Sequence, residues 1–182
     1  MSKRIVIAAA ALATAFAALP ARAVDGCRVL LCLAGPWQSI GECIAPVEQL
    51  FSDLWHGDPF PSCNLASVSS AAAPSGPLGG SPSAGNTMIG GWSTGPDPSC
   101  PPQYVIQAMR RFYTCQYTGV IRVTVNGVAW STTYWSPTGT SVTNFSAAAQ
   151  ARGTTQDPRW LADLAAYQAG QAQGATATLR GL

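Results

Sequence analysis

The sequence predicts an α+β fold, mainly helical and stapled by disulfides. Three observations lead there. Six cysteines all lie downstream of an N-terminal export signal. Apolar residues recur at helical spacing through the cysteine-rich stretch. A single strong hairpin signal, Asn126-Gly127, sits between two runs of β-branched and aromatic residues. The predicted order is a disulfide-stabilised helical hairpin, a low-complexity linker, a helix, a β-hairpin and a C-terminal helix.

Residues 1–23 read as a cleavable secretory signal. Lys3 and Arg4 precede an apolar run from Ile5 to Leu19, and Pro20 and Ala21-Arg22-Ala23 follow, with cleavage after Ala23. The apolar run is shorter than the roughly 20 residues a spanning helix needs. An exported product with an even cysteine count is read as a disulfide framework, and the periplasm is the expected location. Removing Lys3, Arg4 and Arg22 leaves seven arginines and no lysine against eight acids, a net charge of about minus one in place of the precursor's plus two. Charge therefore gives no reason to expect a nucleic-acid partner, and no membrane insertion is expected after cleavage.

The stretch 24–65 reads as a cysteine-rich helical hairpin. Asp25 to Leu33 forms a short helix closed by Gly35 and Pro36. Ser39 and Glu42 then read as a capping box, with Cys43, Val47, Leu50, Phe51 and Leu54 as the apolar stripe of a second helix ending near Trp55. Pro46 falls inside it, as a kink or a mark of the true first turn. Cys27 and Cys32 are five residues apart, which on one helix is about 7.5 Å of rise and about 140° of azimuth, so they do not pair. Folding back through 34–38 brings Cys32 level with Cys43, the preferred pair, and leaves Cys63 to return to Cys27.

Residues 66–99 are mostly Ala, Ser, Gly and Pro and read as a linker, with Met88, Ile89 and Trp92 its few large apolar side chains. Residues 100–182 are expected to pack with the first part as one small domain. Pro101 to Tyr113 reads as a helix with Val105, Met109 and Phe112 on one face. A straight helix there holds Cys100 and Cys115 roughly 20 Å apart, yet the other pairings leave those two for each other. Either the helix is shorter or the other pairings are wrong. Asn126-Gly127 turns a hairpin over Gly119 to Trp135 that pairs Val125 with Val128, Val123 with Trp130 and Ile121 with Thr132, and leaves Arg122, Thr124, Ala129 and Ser131 on the other face. Residues 136–156 read as loop. The last helix starts with Asp157 as cap and Pro158 in its first turn, packs through Trp160, Leu161, Leu164 and Tyr167, and frays at Gly170 and Gly174.

Little in the chain suggests chemistry. His56 is the lone histidine, between Asp53 and Asp58, and helix-terminal histidines are more often structural than catalytic. Glu42 and Glu48 are the acids a glycan-cleaving enzyme would use, but one is assigned to the capping box and the other to an exposed helix face. There is no Cys-x-x-Cys, phosphate loop, zinc-binding pair or nucleophile elbow. No catalytic residue, cofactor or metal is expected. Among six tryptophans, Trp130 and Trp160 are assigned to the core. Trp37, in the interhelix turn, and Trp92, in the linker, are the candidate protein-binding residues.

The segment Cys27-Arg28-Val29-Leu30-Leu31-Cys32-Leu33-Ala34-Gly35, followed by Cys43, Phe51, Trp55 and Cys63, resembles the TrbM/KikA/MpfK family of conjugal transfer proteins. The likeness covers about residues 24–65. It implies a periplasmic accessory of the mating-pair formation apparatus, a type IV secretion system, whose partners are other components of the channel or pilus. It brings no catalytic residue or cofactor with it. A peptidoglycan hydrolase serving the same machine, with Glu42 or Glu48 as acid, and a secreted effector are the alternatives.

Overall fold

Asp25 opens the first described helix by capping it. In the computed structural model, which describes residues 24–63 and 82–180, its carboxylate accepts the Cys27 and Arg28 N–H groups at 3.0 and 3.3 Å and starts α1 (Gly26–Leu33). A short 3-10 turn over Trp37–Ser39 reverses the chain into α2 (Gly41–Trp55). The expected capping box does not form. Ser39 Oγ donates to the Pro36 carbonyl at 2.7 Å, which commits it to the turn, and Ile40 takes the cap position without a side-chain bond. Pro46 stays inside α2. It has no N–H for the Glu42 carbonyl, and Arg28 Nη2 donates to that carbonyl at 3.0 Å instead. Disulfides Cys32–Cys43 and Cys27–Cys63 lock the pair, with Cα separations of 5.5 and 4.6 Å.

Among the described residues six strands follow, in two antiparallel sheets, which overturns the mainly helical reading: the structure is 38% helix and 27% strand. The larger sheet has the order β1-β4-β5-β6, from β1 (Pro82–Met88), β4 (Gly119–Val125), β5 (Val128–Trp135) and β6 (Ser141–Phe145). β1 corrects the linker reading of 66–99 over its seven residues, and 89–99 is tied down by backbone bonds from Ile89 to Thr118 and between Ser93 and Tyr113; 66–81 lies outside the described residues, as does the signal at 1–23. β6 and the short helix α3 (Ala147–Ala151) likewise replace the loop expected at 136–156.

Asn126 and Gly127, at φ 52° and 76°, turn β4 into β5 as the dipeptide dictates, and Val125 faces Val128. The pairing then slips by one. A bulge between Val123 and Thr124 inserts Trp130, so that Val123 faces Ser131 and Ile121 faces Thr133. The slip turns Ser131 inward, against expectation. Trp130 Nε1 donates to the Ala34 carbonyl at 2.9 Å and Ser131 Oγ to the Leu33 carbonyl at 2.6 Å, satisfying backbone oxygens that the end of α1 leaves without helical partners. The core under α1 and α2 is built on this face, with Phe51 stacked on Trp135 at 5.5 Å.

The opposite face carries the second core. The helix expected over Pro101–Tyr113 is a 3-10 turn at Pro102–Tyr104 followed by β2 (Val105–Met109) and β3 (Phe112–Cys115), a two-stranded sheet. The return stroke places Cys115 opposite Val105 and brings Cys100 and Cys115 to a Cα separation of 5.8 Å, bonded. The conflict between helix and closure is settled in favour of the closure. Tyr104, Tyr117, Tyr134 and Trp160 pack ring to ring at 4.9 to 6.2 Å over Val120 and Val142.

That ring cluster seats the first turns of α4 (Pro158–Arg180): Trp160 stacks on Tyr134 and Asp163 accepts the Tyr104 hydroxyl at 2.8 Å. Leu161 is exposed, contrary to its assigned packing role, and Tyr167 is exposed as well. The helix also runs through Gly170 and Gly174 to Arg180 instead of fraying there.

Candidate docking surface

The two tryptophans singled out as contact residues part company. Trp37 is 3% exposed, its ring edge-on to Phe51 at 5.8 Å, so it belongs to the core. The turn that seemed to expose it folds onto α2. Trp92 is 66% exposed.

The segment around Trp92 is held in place from two sides. Ile89 N–H donates to the Thr118 carbonyl at 2.9 Å, and Ser93 exchanges two backbone bonds with Tyr113, at 3.0 and 2.9 Å. Ser93 pairs with Tyr113 and Tyr113 with Gln107, so those three share one face of the small sheet. Phe112 and Ile106, the strand neighbours of Tyr113 and Gln107, fall on the other, and Trp92 immediately precedes Ser93. Ile106 and Phe112 are each 46% exposed. Ile106 and Phe112 are therefore exposed on one face of a sheet closed by Cys100–Cys115, with Trp92 exposed on the segment bridged to it and exposed Arg110 and Arg111 at its turn. A cleft of about 410 Å³ opens beside Trp92, between Met88, Ile89, Pro96 and Pro98. Such a surface suits the aromatic and arginine-rich contacts of protein interfaces.

Helical periodicity at 101–113 hid Ile106 and placed Phe112 on an internal helix face. The signal that would have recovered both was present, because bonding Cys100 to Cys115 excludes a straight helix between them. A second exposed apolar group, Leu31, Ile40 and Ile44, lies on the helical hairpin beside the Cys32–Cys43 bond.

The candidates for chemistry are dispersed. His56 Nδ1 lies 2.7 Å from the Ser52 carbonyl at the end of α2, and Asp53 accepts from Gln49 at 2.6 Å. Glu42 and Glu48 are exposed on α2 and line neither of the two clefts described. Among the described residues no group of three or more His, Cys, Asp or Glu is placed to hold a metal. The other cleft, about 480 Å³ between Gln38, Phe145, Gln156 and Arg159, contains Asp157. That carboxylate is buried and occupied: it accepts from Gln38 Nε2 at 3.2 Å, Thr143 N at 3.0 Å and Arg159 N at 3.0 Å, and pairs with the Arg159 guanidinium at 3.2 Å. Its work is to tie three elements together.

The shifted acidities are all phenolic. Burial, reinforced by the hydrogen bond to Asp163, pushes Tyr104 well above the ordinary tyrosine range; burial and the Asp163 charge push Tyr117 up to about 12; burial raises Tyr134. These rings remain protonated at neutral pH and act as packing.

All six cysteines are bonded, which suggests an extracellular or periplasmic compartment. No helix among the described residues is long and apolar enough to cross a membrane. No protein family, curated protein or solved structure matches the chain.

Proposed function

We propose that this chain is a periplasmic accessory of a conjugative type IV secretion apparatus, working by binding other components of the channel or pilus. One observation carries the binding reading: Ile106 and Phe112 on the small sheet and Trp92 on the segment bridged to it are solvent-exposed while their backbone is fixed by a disulfide and by the Ser93 bridge. Ordered anchors of this kind bind without first losing conformational freedom. The apparatus is argued from the resemblance of Cys27 to Gly35, with Cys43 and Cys63, to the TrbM/KikA/MpfK family, and the periplasm from the signal-like segment ahead of Ala23.

The test uses a donor strain lacking the gene, complemented with the wild-type chain or with W92A/F112A. Transfer frequency is measured, and channel and pilus subunits are sought among proteins cross-linked to the chain. Loss of transfer on deletion, rescue by the wild-type chain and poor rescue by W92A/F112A with loss of the cross-links are expected. Undiminished transfer, or muropeptide release by the purified chain that E42Q or E48Q abolishes, would remove the proposal.

A further inference from the structure

The two edges of the four-stranded sheet are treated in opposite ways. Along β6 the edge is closed by side chains that imitate a neighbouring strand. Gln156 Oε1 accepts the Phe145 N–H at 3.0 Å while its Nε2 donates to the Thr143 carbonyl at 3.2 Å, Asp157 accepts the Thr143 N–H at 3.0 Å, and Gln150 Nε2 donates to the Phe145 carbonyl at 2.8 Å. Edges left open invite pairing with another chain, and these bonds remove that option at β6.

Among the described residues β1 has no such closure. Its one strand partner among them is β4, and the sequence Pro82-Ser83-Ala84-Gly85-Asn86-Thr87-Met88 contains no charge and no internal proline, the usual means of blocking an edge. Ser83, Gly85 and Thr87 are exposed on its outer face, and Met88 is half exposed at its end.

We infer that the free edge of β1 pairs with β1 of a second copy of this chain, making one continuous antiparallel sheet across a two-fold axis. The argument for a second copy is self-complementarity. An axis through Gly85, the middle residue, sets Ser83 opposite the partner's Thr87, Ala84 opposite the partner's Asn86 and Pro82 opposite the partner's Met88. Hydroxyls meet hydroxyls, each exposed methionine gains a proline, and no like charges oppose. Gly85 itself meets Gly85, and the space where its Cβ would sit is open.

The register makes the test specific. Sedimentation of the oxidised chain purified from a periplasmic extract should show a dimer. S83K/T87K places lysine opposite lysine at both ends of the axis and should weaken the dimer at least roughly tenfold. S83K/T87E places lysine opposite glutamate at the same positions and should retain it, which separates loss of pairing from loss of fold. A wild-type chain that stays monomeric, a dimer indifferent to S83K/T87K, or one lost equally in both variants would overturn the inference. None of these readouts depends on transfer function.

Discussion

Arg28 repairs a fault the sequence writes into α2. Proline at position 46 strands the Glu42 carbonyl, and a side chain from the neighbouring helix reaches it. The site is exposed, so Arg28→Ala should cost no more than about 1 kcal/mol in a denaturant titration. Gly119 answers to a harder constraint. A Cβ there would lie 2.5 Å from Cε2 and Nε1 of Trp135, a fully buried ring stacked on Phe51. Gly119→Ala should therefore destabilise by about 1–3 kcal/mol, read from the urea midpoint. Trp92→Ala should leave that midpoint within about 0.5 kcal/mol, because the side chain is mostly in water, while reducing cross-linking to partners. The sequence was a partial guide at this scale. Local pattern offers neither Trp92 nor Trp37 a place in the core; only the packing of Trp37 in the 36–39 turn against Phe51, a tertiary fact, tells them apart.

Elements were legible where their cause is local. Asp25 caps α1, Asn126-Gly127 turns the hairpin and Asp157-Pro158 starts α4, each by chemistry confined to a few residues. They were illegible where a neighbour decides. β1 has no alternation of large apolar residues and is a strand because β4 pairs with it; β2 and β3 show a helical period that is incompatible with the Cys100–Cys115 closure; the Trp130 bulge brings Trp130 and Ser131 to the open carbonyls of α1, on a different element. The edge of β6 gives a prediction at this scale. Gln156→Ala would leave the Phe145 N–H and Thr143 carbonyl without their side-chain partner and should cost about 1–3 kcal/mol, with faster amide exchange at Phe145. Unchanged exchange there would show that the side chain does not guard the edge.

For the molecule as a whole, two cores sit on opposite faces of one sheet, and each is fastened covalently. The second core, around Tyr104, Tyr117 and Tyr134, is built on phenols that stay protonated. An unfolded chain ionises its tyrosines near pH 10, whereas Tyr104, Tyr117 and Tyr134 hold their protons to higher pH. Above that point the unfolded state binds fewer protons than the native one, so stability falls as pH rises. The melting temperature should fall from about pH 10 to about pH 12, and less steeply in Tyr104→Phe. The covalent closures span 11, 15 and 36 residues, and each is worth roughly 3 to 4 kcal/mol in the chain-entropy account. The exposed apolar faces have a fixed shape only while those bonds hold. Peptide mapping by mass spectrometry, on unreduced protein recovered from outside the cytoplasm of an expressing cell, tests this most directly. It should find Cys27 linked to Cys63, Cys32 to Cys43 and Cys100 to Cys115; free thiols, or a link between the first four cysteines and the last two, would contradict the account.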